Sequence, residues 1–329
     1  MAKRAAEPAG PRPLVILAGG GDFPLIAAEQ VMEAGRPVLV VGIEGEASPE
    51  IEDFPHTWVK RGQLGKLFSI MRTFKAQDLL ILGMLADRRM PTWREVDLVG
   101  LWEVLRHWRM LQDGDDTVLR KVARMVEARG FTIVQPADVI PSMIARSGLY
   151  GRYRPTDGDL ADVLVAYRAA KELGRRDKGQ ACVASDGQVM AREDQRGTDN
   201  LLERVAAERR QTGFTGSNGV LVKCLKPGQD TRLDLPAVGP ATVRNAAAAG
   251  LAGIAVEAGS TLVVDEDLMI ELADRLGLFL MGFALSSAAL GGQSGDGQPR
   301  GGQPQGGQPR GGPAKDGKPT GGKAKGARS

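Results

Sequence analysis

A short apolar run that ends in three glycines constrains the fold of this chain more than any other feature. Leu14–Ala18 (LVILA) has the continuous hydrophobicity of a strand that is buried on both faces. Gly19–Gly21 follow it, and Pro24 is well placed as the first residue of a helix that runs to about Ala34. A second apolar run, Pro37–Ile43, comes next. This order predicts a βαβ unit with parallel strands and a right-handed crossover.

The alternation of buried runs and amphipathic segments continues to about residue 148. Further strands are predicted at Asp78–Leu85 and Phe131–Val134, and helices at Gln63–Lys75, Thr92–Leu111 and Asp113–Gly130. We therefore predict an α/β fold in which residues 14–148 form a Rossmann-like N-terminal domain with a parallel sheet.

Residues 159–289 follow a polar linker at 149–158 and carry a less regular mixture of elements. The predicted helices are Asp159–Leu173, Thr198–Arg210, Thr242–Ala249 and Asp267–Leu276, and the predicted strands are Gly179–Ser185, Gly219–Leu225, Ser260–Asp265 and Gly277–Phe283. This pattern predicts a second, mixed α/β domain at the C-terminal side.

Both ends of the chain have the composition of disordered segments. Residues 1–13 are rich in proline, and residues 290–329 form a Gly/Pro/Gln-rich tail with seven basic and two acidic residues. The tail therefore has a net charge of +5 and residues 1–13 have +2, whereas the whole chain has a formal net charge of only +3. The positive charge of the chain thus resides at its ends. A basic tail is drawn to an anionic membrane surface, or it serves only as a solubilising extension. We expect no nucleic-acid partner.

Cysteine and histidine usage narrows the chemistry. Cys182 and Cys224 lie in apolar runs, which predicts buried free thiols in a reducing cytoplasm. His56 and His107 are the only histidines, so a histidine-rich metal site and Ser-His-Asp catalysis are disfavoured. No signal peptide and no apolar run near the ~20 residues of a spanning helix are present. The prediction is a cytoplasmic protein, at most peripheral at the inner membrane.

The glycine loop has the features of an anion site. A strand that feeds a glycine-rich turn and then a helix presents backbone N–H groups beside the positive end of the helix dipole. However, Pro24 stands where a G-x-G-x-x-G fingerprint has its third glycine, and no P-loop motif is present. The loop therefore binds a phosphate, or it is a tight turn without a ligand.

A second charged segment, KPGQDTRLDLPAVG at 226–239, concentrates two cations and two carboxylates between prolines. Lys226, Asp230, Arg232 and Asp234 together are suited to hold a phosphate and a divalent metal, since Mg²⁺ prefers oxygen ligands. The alternative is a solvated loop of alternating charge, in which Asp230 and Arg232 form an exposed ion pair.

Seven motifs occur in this chain in the order found in one protein family. They are AGGGDFP, RGQLGK, DGDD, DKGQ, RGTDNLL, KPGQDTRLDLPAVG and GLAGIAVEAGSTLVVD. With them, residues 14–283 closely resemble the LpxI-type UDP-2,3-diacylglucosamine pyrophosphatases of lipid A biosynthesis. The chain departs from the family at Arg196, where a glutamate is frequent, although Glu193 is retained. It departs again at Met84 and Leu85, where many members carry a polar residue.

The resemblance implies hydrolysis of UDP-2,3-diacylglucosamine to UMP and 2,3-diacylglucosamine 1-phosphate. It also implies a Mg²⁺ (or Mn²⁺) cofactor, water attack on the α-phosphorus, a homodimer, and a substrate that lies between the two domains. The acyl chains need an apolar cleft, for which Met84, Leu85 and the Trp93–Trp108 segment are candidates. That stripe of large apolar residues is equally typical of ordinary core.

The expected site residues follow from the resemblance and the charge pattern together. Asp234, at the position of the family's essential aspartate, is the expected catalytic residue. The expected substrate-binding residues are Gly19, Gly20, Gly21, Gln180, Thr198, Asp199, Lys226, Gln229 and Arg232. The expected metal ligands are Asp234, Asp199 and Asp230.

Two other function classes remain open from the residues alone. A nucleotide-sugar binding protein without catalysis would use the same charged segment, and the presence of Asp234 disfavours it. An NAD(P)-dependent oxidoreductase would use the same N-terminal layer, and the Pro24 departure disfavours that one.

Overall fold

A computed structural model of the protein describes residues 11–83, 92, 95–100 and 115–284, with side chains of the last range from residue 120 onward. The described residues belong to one compact unit that contains two large sheets. The first sheet is wholly parallel and the second is mixed, which confirms the predicted α/β class.

The first sheet has five parallel strands in the order β3-β2-β1-β4-β5. The strands are β1 (Leu14–Ala18), β2 (Val38–Ile43), β3 (His56–Val59), β4 (Asp78–Leu82) and β5 (Thr132–Ile133). The strand order reverses between β1 and β4, so the carboxyl ends of these two strands flank the crevice where doubly wound sheets bind ligands. Strand β3 was not predicted. It has only four residues (HTWV), and because only Val59 is fully buried, its sequence is not a continuous apolar run.

In the described ranges of this first part, the helices with defined bounds are α1 (Phe23–Glu33), α2 (Leu64–Thr73), α3 (Asp115–Glu127) and the short α4 (Pro136–Val139), with 3-10 turns at Pro49–Asp53 and Pro141–Met143. Pro24 occupies the first turn of α1, as predicted. Most of the predicted helix at Thr92–Leu111, with Trp93 and Trp108, and the proposed contacts Met84 and Leu85 lie outside the described residues.

Side chains of β1 alternate between two hydrophobic clusters, one on each face of the first sheet. Leu14, Ile16 and Ala18 belong to the cluster that includes helix α1, whereas Val15 belongs to the cluster that includes α2 and α3. Because successive residues of a strand point to opposite faces, both faces are covered. This explains the continuous rather than alternating apolar run in the sequence.

The second sheet has six strands in the order β6-β13-β11-β9-β7-β8, and a separate parallel pair joins β10 to β12. Its strands are β6 (Gly148–Leu149), β7 (Ala181–Ser185), β8 (Gln188–Arg192), β9 (Val220–Lys223), β11 (Gly253–Glu257) and β13 (Phe279–Phe283); the pair is β10 (Ala237–Val238) and β12 (Leu262–Val263). Strands β9, β11 and β13 are parallel, β6 and β7 run antiparallel to them, and β8 runs antiparallel to β7.

Four further helices are α5 (Asp157–Arg175), α6 (Gly197–Thr212), α7 (Pro240–Ala248) and α8 (Glu266–Leu276). The predicted strand Ser260–Asp265 is mostly wrong, since only Leu262–Val263 pair. Asp265 adopts a left-handed backbone (φ 52°), and its side chain accepts a hydrogen bond from the Leu268 amide, so the chain turns there into α8. Strands β8 and β11 were not predicted.

The segment before β10 packs on both faces of the first sheet. Leu233 belongs to the cluster with Val15, and Leu235 packs against the cluster with Leu14. Thr231 donates a hydrogen bond to Gln135, just beyond the two-residue strand β5 (3.3 Å). The chain therefore passes around the β5 edge of the first sheet between residues 233 and 235, and Asp234 lies on that passage.

Candidate active site

The loop that carries Asp234 leaves the end of β9 and folds into tight turns. The Gln229 amide donates to the Lys226 carbonyl oxygen (3.2 Å), and the Leu233 amide donates to the Asp230 carbonyl oxygen (3.0 Å). Gly228 has a positive φ of 79°, which a side chain would strain. These turns compress 226–234 so that side chains eight residues apart in sequence come together.

Gln229 links the cationic and acidic ends of the loop. Its Oε1 accepts a hydrogen bond from the Lys226 amide (3.1 Å), and its Nε2 donates to Asp234 Oδ2 (2.5 Å). The structure thus brings together three of the expected residues, Lys226, Gln229 and Asp234. Gln229 acts here on the orientation of the carboxylate.

Asp234 is exposed to solvent, yet its pKa is raised. The first cause is desolvation by the surrounding protein, and the positive charges of Lys226 and Lys223 and the Gln229 hydrogen bond oppose it. The carboxylate is therefore in contact with solvent, while the charges of two lysine side chains act on it.

Lys226 is anchored by a residue that follows helix α5. Its Nζ donates to Asp177 Oδ1 (2.9 Å), and Asp177 follows the C-terminal end of α5 in a left-handed conformation (φ 51°). The pair is partly exposed, so it contributes little to stability. An incoming phosphate would compete with Asp177 for this ammonium group.

Asp230 and Arg232 are engaged with each other. The Arg232 guanidinium donates to both oxygens of Asp230 (2.9 and 2.6 Å) and also to Glu127 of α3 (2.5 Å). The Arg232 hydrogen bond is the main cause of the lowered pKa of Asp230. This is the ion pair that the sequence left open, and it ties the loop to the first part of the molecule.

Gln180 and Thr198 meet at a residue that was not among the expected site residues. Glu193 is buried, and it accepts hydrogen bonds from the Gln180 amide and the Thr198 hydroxyl, both at 2.6 Å. The Gln180 side-chain Oε1 is buried and has no hydrogen-bond partner among the described residues. Asp199, the next residue of α6, is exposed and accepts from Asn245 of α7 (2.9 Å).

Lys223 is, with Glu193, a residue that the sequence analysis did not expect at the site. It is the last residue of β9 and only 9% exposed, and its Nζ donates to the Ala237 carbonyl oxygen (2.9 Å). Burial lowers its pKa, whereas the charges of Glu193, Asp199 and Asp234 raise it. A lysine that ends the apolar run VLVK was the available sequence signal. Lys223 is thus a buried basic residue on which the charges of Glu193, Asp199 and Asp234 act.

The glycine loop lies at the carboxyl ends of β1 and β4. The Gly19 amide donates to the Leu82 carbonyl oxygen (2.8 Å), and Gly83 approaches so closely that a Cβ there would lie 2.7 Å from backbone atoms of Gly19 and Gly20. Gly21 has φ 89°. Among the described residues no hydrogen bond or ion pair joins this loop to Asp234, so a shared cleft stays a prediction.

The carboxylates near Asp234 are the available ligands for the expected Mg²⁺ (or Mn²⁺). Across the described ranges no group of three Asp, Glu, His or Cys side chains has the arrangement of a metal site. Asp230 is committed to Arg232, so it is a poor ligand. Mg²⁺, however, keeps several waters and is often held by one or two carboxylates and substrate phosphates. Asp234 and Asp199 are the two expected ligands that no ion pair occupies among the described residues, and a metal at Asp234 stays a prediction.

Both thiols are unsuited to catalysis. Cys182 and Cys224 are buried free cysteines, and burial raises the pKa of each to about 12. A thiolate is therefore scarce near neutral pH. Acidic and basic side chains remain as the reactive groups.

Fold and site together define an α/β protein with two large sheets, a glycine loop at the topological switch point of the first sheet and a charged loop after β9. Residues 13–143 match the LpxI N-terminal domain family, and residues 146–281 match the LpxI C-terminal domain family. A protein of Caulobacter vibrioides, described as UDP-2,3-diacylglucosamine pyrophosphatase LpxI, is 37% identical over 284 residues, which cover 82% of this chain and 97% of the relative. The chain belongs to the LpxI family, as its motifs predicted.

Proposed function

We propose that this chain hydrolyses the pyrophosphate bond of UDP-2,3-diacylglucosamine and releases UMP and 2,3-diacylglucosamine 1-phosphate. The relative that is 37% identical carries the name of this pyrophosphatase, and both family domains are present. The observation that carries the proposal is the pair of hydrogen bonds by which Gln229 connects Asp234 to the Lys226 amide.

The reaction needs charge neutralisation and positioning more than a strong base. A diphosphate diester is anionic, so a water molecule must approach an electron-rich phosphorus. Lys226, whose ammonium group now binds Asp177, would neutralise phosphate oxygens, and the buried Lys223 would add positive charge near the acids. The Gly19–Gly21 amides and Arg232 would bind the remainder of the uridine diphosphate.

Asp234 would orient the attacking water. Because Gln229 already donates to Oδ2, Oδ1 would accept a hydrogen bond from the water and then its proton. The water oxygen bonds to the α-phosphorus as the bond from that phosphorus to the bridging oxygen breaks, and the lipid phosphate leaves. A Mg²⁺ or Mn²⁺ held by Asp234 and Asp199 would supply charge neutralisation at the phosphates.

The test is release of UMP from the lipid substrate in ¹⁸O-water with Mg²⁺ or Mn²⁺ present. Label in UMP is expected, whereas label in the lipid phosphate would place the attack on the β-phosphorus. Binding of the substrate without UMP release would instead support a non-catalytic binding protein.

Asp234→Asn should lower kcat by about 100-fold or more while fold and substrate binding are kept, because the amide cannot take a proton. Asp53→Asn, at an exposed position that ends a 3-10 turn of the first part, is the matched control and should keep full activity. Wild-type turnover by Asp234→Asn would remove this residue from the mechanism.

Partners and location extend the proposal. Among the described residues no helix combines the length and apolarity needed to cross a bilayer. The acylated substrate resides in a membrane, so we propose peripheral contact that the basic tail at 290–329 assists, and a homodimer. Sedimentation with anionic vesicles and light scattering in solution test these two points.

A further inference from the structure

One face of helix α5 holds the chain immediately before Lys226. Tyr167, Lys171, Gly174 and, just past the helix end, Asp177 follow one another at helical spacing, and each contacts Leu225, Lys226 or the residues that bind them. Three of these residues contact the short stretch 225–227 directly, and Tyr167 contacts the Glu257 side chain that also binds it, which points to more than general packing.

The Lys171–Glu257 ion pair binds both polar groups of the Leu225 residue. The Leu225 amide donates to Glu257 Oε2 (2.9 Å), and Lys171 Nζ donates to the Leu225 carbonyl oxygen (2.8 Å). Lys171 also donates to the same Glu257 oxygen (2.8 Å). Strand β9 ends at Lys223, so these side chains replace a neighbouring strand just where the ladder stops.

The ion pair itself is held in place. Tyr167 donates its hydroxyl to Glu257 Oε1 (3.2 Å), and its ring packs edge-on against Phe283 with centroids 5.4 Å apart. Both charged side chains are about four-fifths buried, with 18% and 20% exposed. At that depth an ion pair has a defined geometry rather than a range of solvated ones.

Gly174 of helix α5 lies close to the loop residues Lys226 and Pro227. A Cβ at this position would lie 3.0 Å from Pro227 Cδ and 3.2 Å from Lys226 Cα. The helix can approach the loop this closely only because the side chain is absent. Asp177 then receives the Lys226 ammonium group.

We propose that Lys171 and Glu257 are positioning residues, which fix the Leu225 peptide and thereby aim Lys226 at the phosphates of the substrate. The proposal rests on the proposed function for the identity of the ligand. It assigns the two residues no contact with substrate; they act on turnover through Lys226.

A cycle of variants tests this. Lys171→Met should lower kcat/KM by about 10- to 100-fold, the range in which small displacements of catalytic groups fall. In a Lys226→Ala background the same change should have less than about a twofold effect, because its target is gone. Effects that multiply in the double variant would overturn the proposal. Glu172→Gln, on the exposed side of α5, is the control and should keep wild-type activity.

Gly174→Ala approaches the same loop without removing a charge. Alanine favours a helix over glycine, so its thermal midpoint should equal or exceed that of the wild type, yet kcat/KM should fall by about tenfold. Gly174→Ala therefore tests the positioning role even if Lys171→Met does not fold. Full activity of folded Gly174→Ala would contradict the positioning role.

Hydrogen exchange supplies a readout that needs no turnover. In Lys171→Met the amides of residues 224–234 should exchange at least about tenfold faster, while those of β1 stay unchanged. Unchanged exchange in 224–234 would overturn the positioning proposal. A wild-type protein without UMP release would refute the proposed function alone, since the exchange data still decide the role of Lys171.

Discussion

Gly83 and Gly45 differ in one respect that matters for the site. Both have positive φ, 93° and 79°, but a Cβ at Gly83 would meet the Gly19 and Gly20 backbone at 2.7 Å, whereas nothing lies within 4 Å at Gly45. Alanine at Gly45 would therefore introduce backbone strain alone, whereas alanine at Gly83 would introduce both strain and a steric clash. Close approach at Gly83 shapes the glycine loop at the carboxyl ends of β1 and β4.

Gly83→Ala should lower the free energy of unfolding by about 1–3 kcal/mol more than Gly45→Ala, which should lose only the left-handed strain of about 1–2 kcal/mol. Urea unfolding of both variants measures this difference. The kcat/KM of Gly83→Ala should also fall, because the glycine loop must move. Equal losses of stability in the two variants would show that the close contact between Gly83 and the Gly19–Gly20 backbone does not restrict a side chain at position 83.

Residues also show where sequence reasoning succeeded. Lys226, Gln229 and Asp234 were expected at the site from one motif and do lie together, since a tight loop keeps neighbours in sequence close in space. Lys223 and Glu193 were missed as site residues. Their roles depend on burial and on partners from other strands, and one sequence does not reveal those.

At the scale of elements, the β7–β8 hairpin shows how a buried acid fixes a turn. Asp186 and Gly187 have φ of 53° and 74°, as a two-residue type I′ turn requires. Asp162 of α5 is 4% exposed and accepts hydrogen bonds from both of their amides (3.1 and 2.7 Å). The helix and the turn therefore stabilise each other.

Asp162→Ala should lower the free energy of unfolding by about 1–3 kcal/mol, because two amides at the turn lose their acceptor. Asp157→Ala, an exposed carboxylate in the first turn of the same helix, should cost no more than about 1 kcal/mol. Chemical denaturation compares the two variants. A loss for Asp162→Ala as small as that of the control would mean that water replaces the carboxylate.

At the scale of the whole molecule, the two sheets are joined by the chain that carries Asp234. Leu233 is 7% exposed within a cluster built mainly from the first sheet and its helices, although it belongs to the loop after β9. Arg232 and Thr231 add contacts to Glu127 and Gln135. Loss of Leu233 should therefore affect both sheets.

Leu233→Ala should lower the free energy of unfolding by about 2–5 kcal/mol, through lost burial and the cavity that remains. Hydrogen exchange should show reduced protection of β1 and β9 amides together. Leu276→Ala, at an exposed position that ends α8, should change stability by no more than about 0.5 kcal/mol. Loss of protection in only one sheet would show that the two unfold independently.

The sequence by itself determined the parallel first sheet, the helix that Pro24 opens, the family and the loop with Asp234. These depend on local periodicity and on motifs of adjacent residues, which do not change with tertiary context. Only the tertiary structure decided that Asp230 is committed to Arg232, that Lys223 and Glu193 are buried beside the acids, and that Lys171 and Glu257 hold Leu225. Those facts depend on burial and on contacts between residues up to 86 positions apart, as for Lys171 and Glu257.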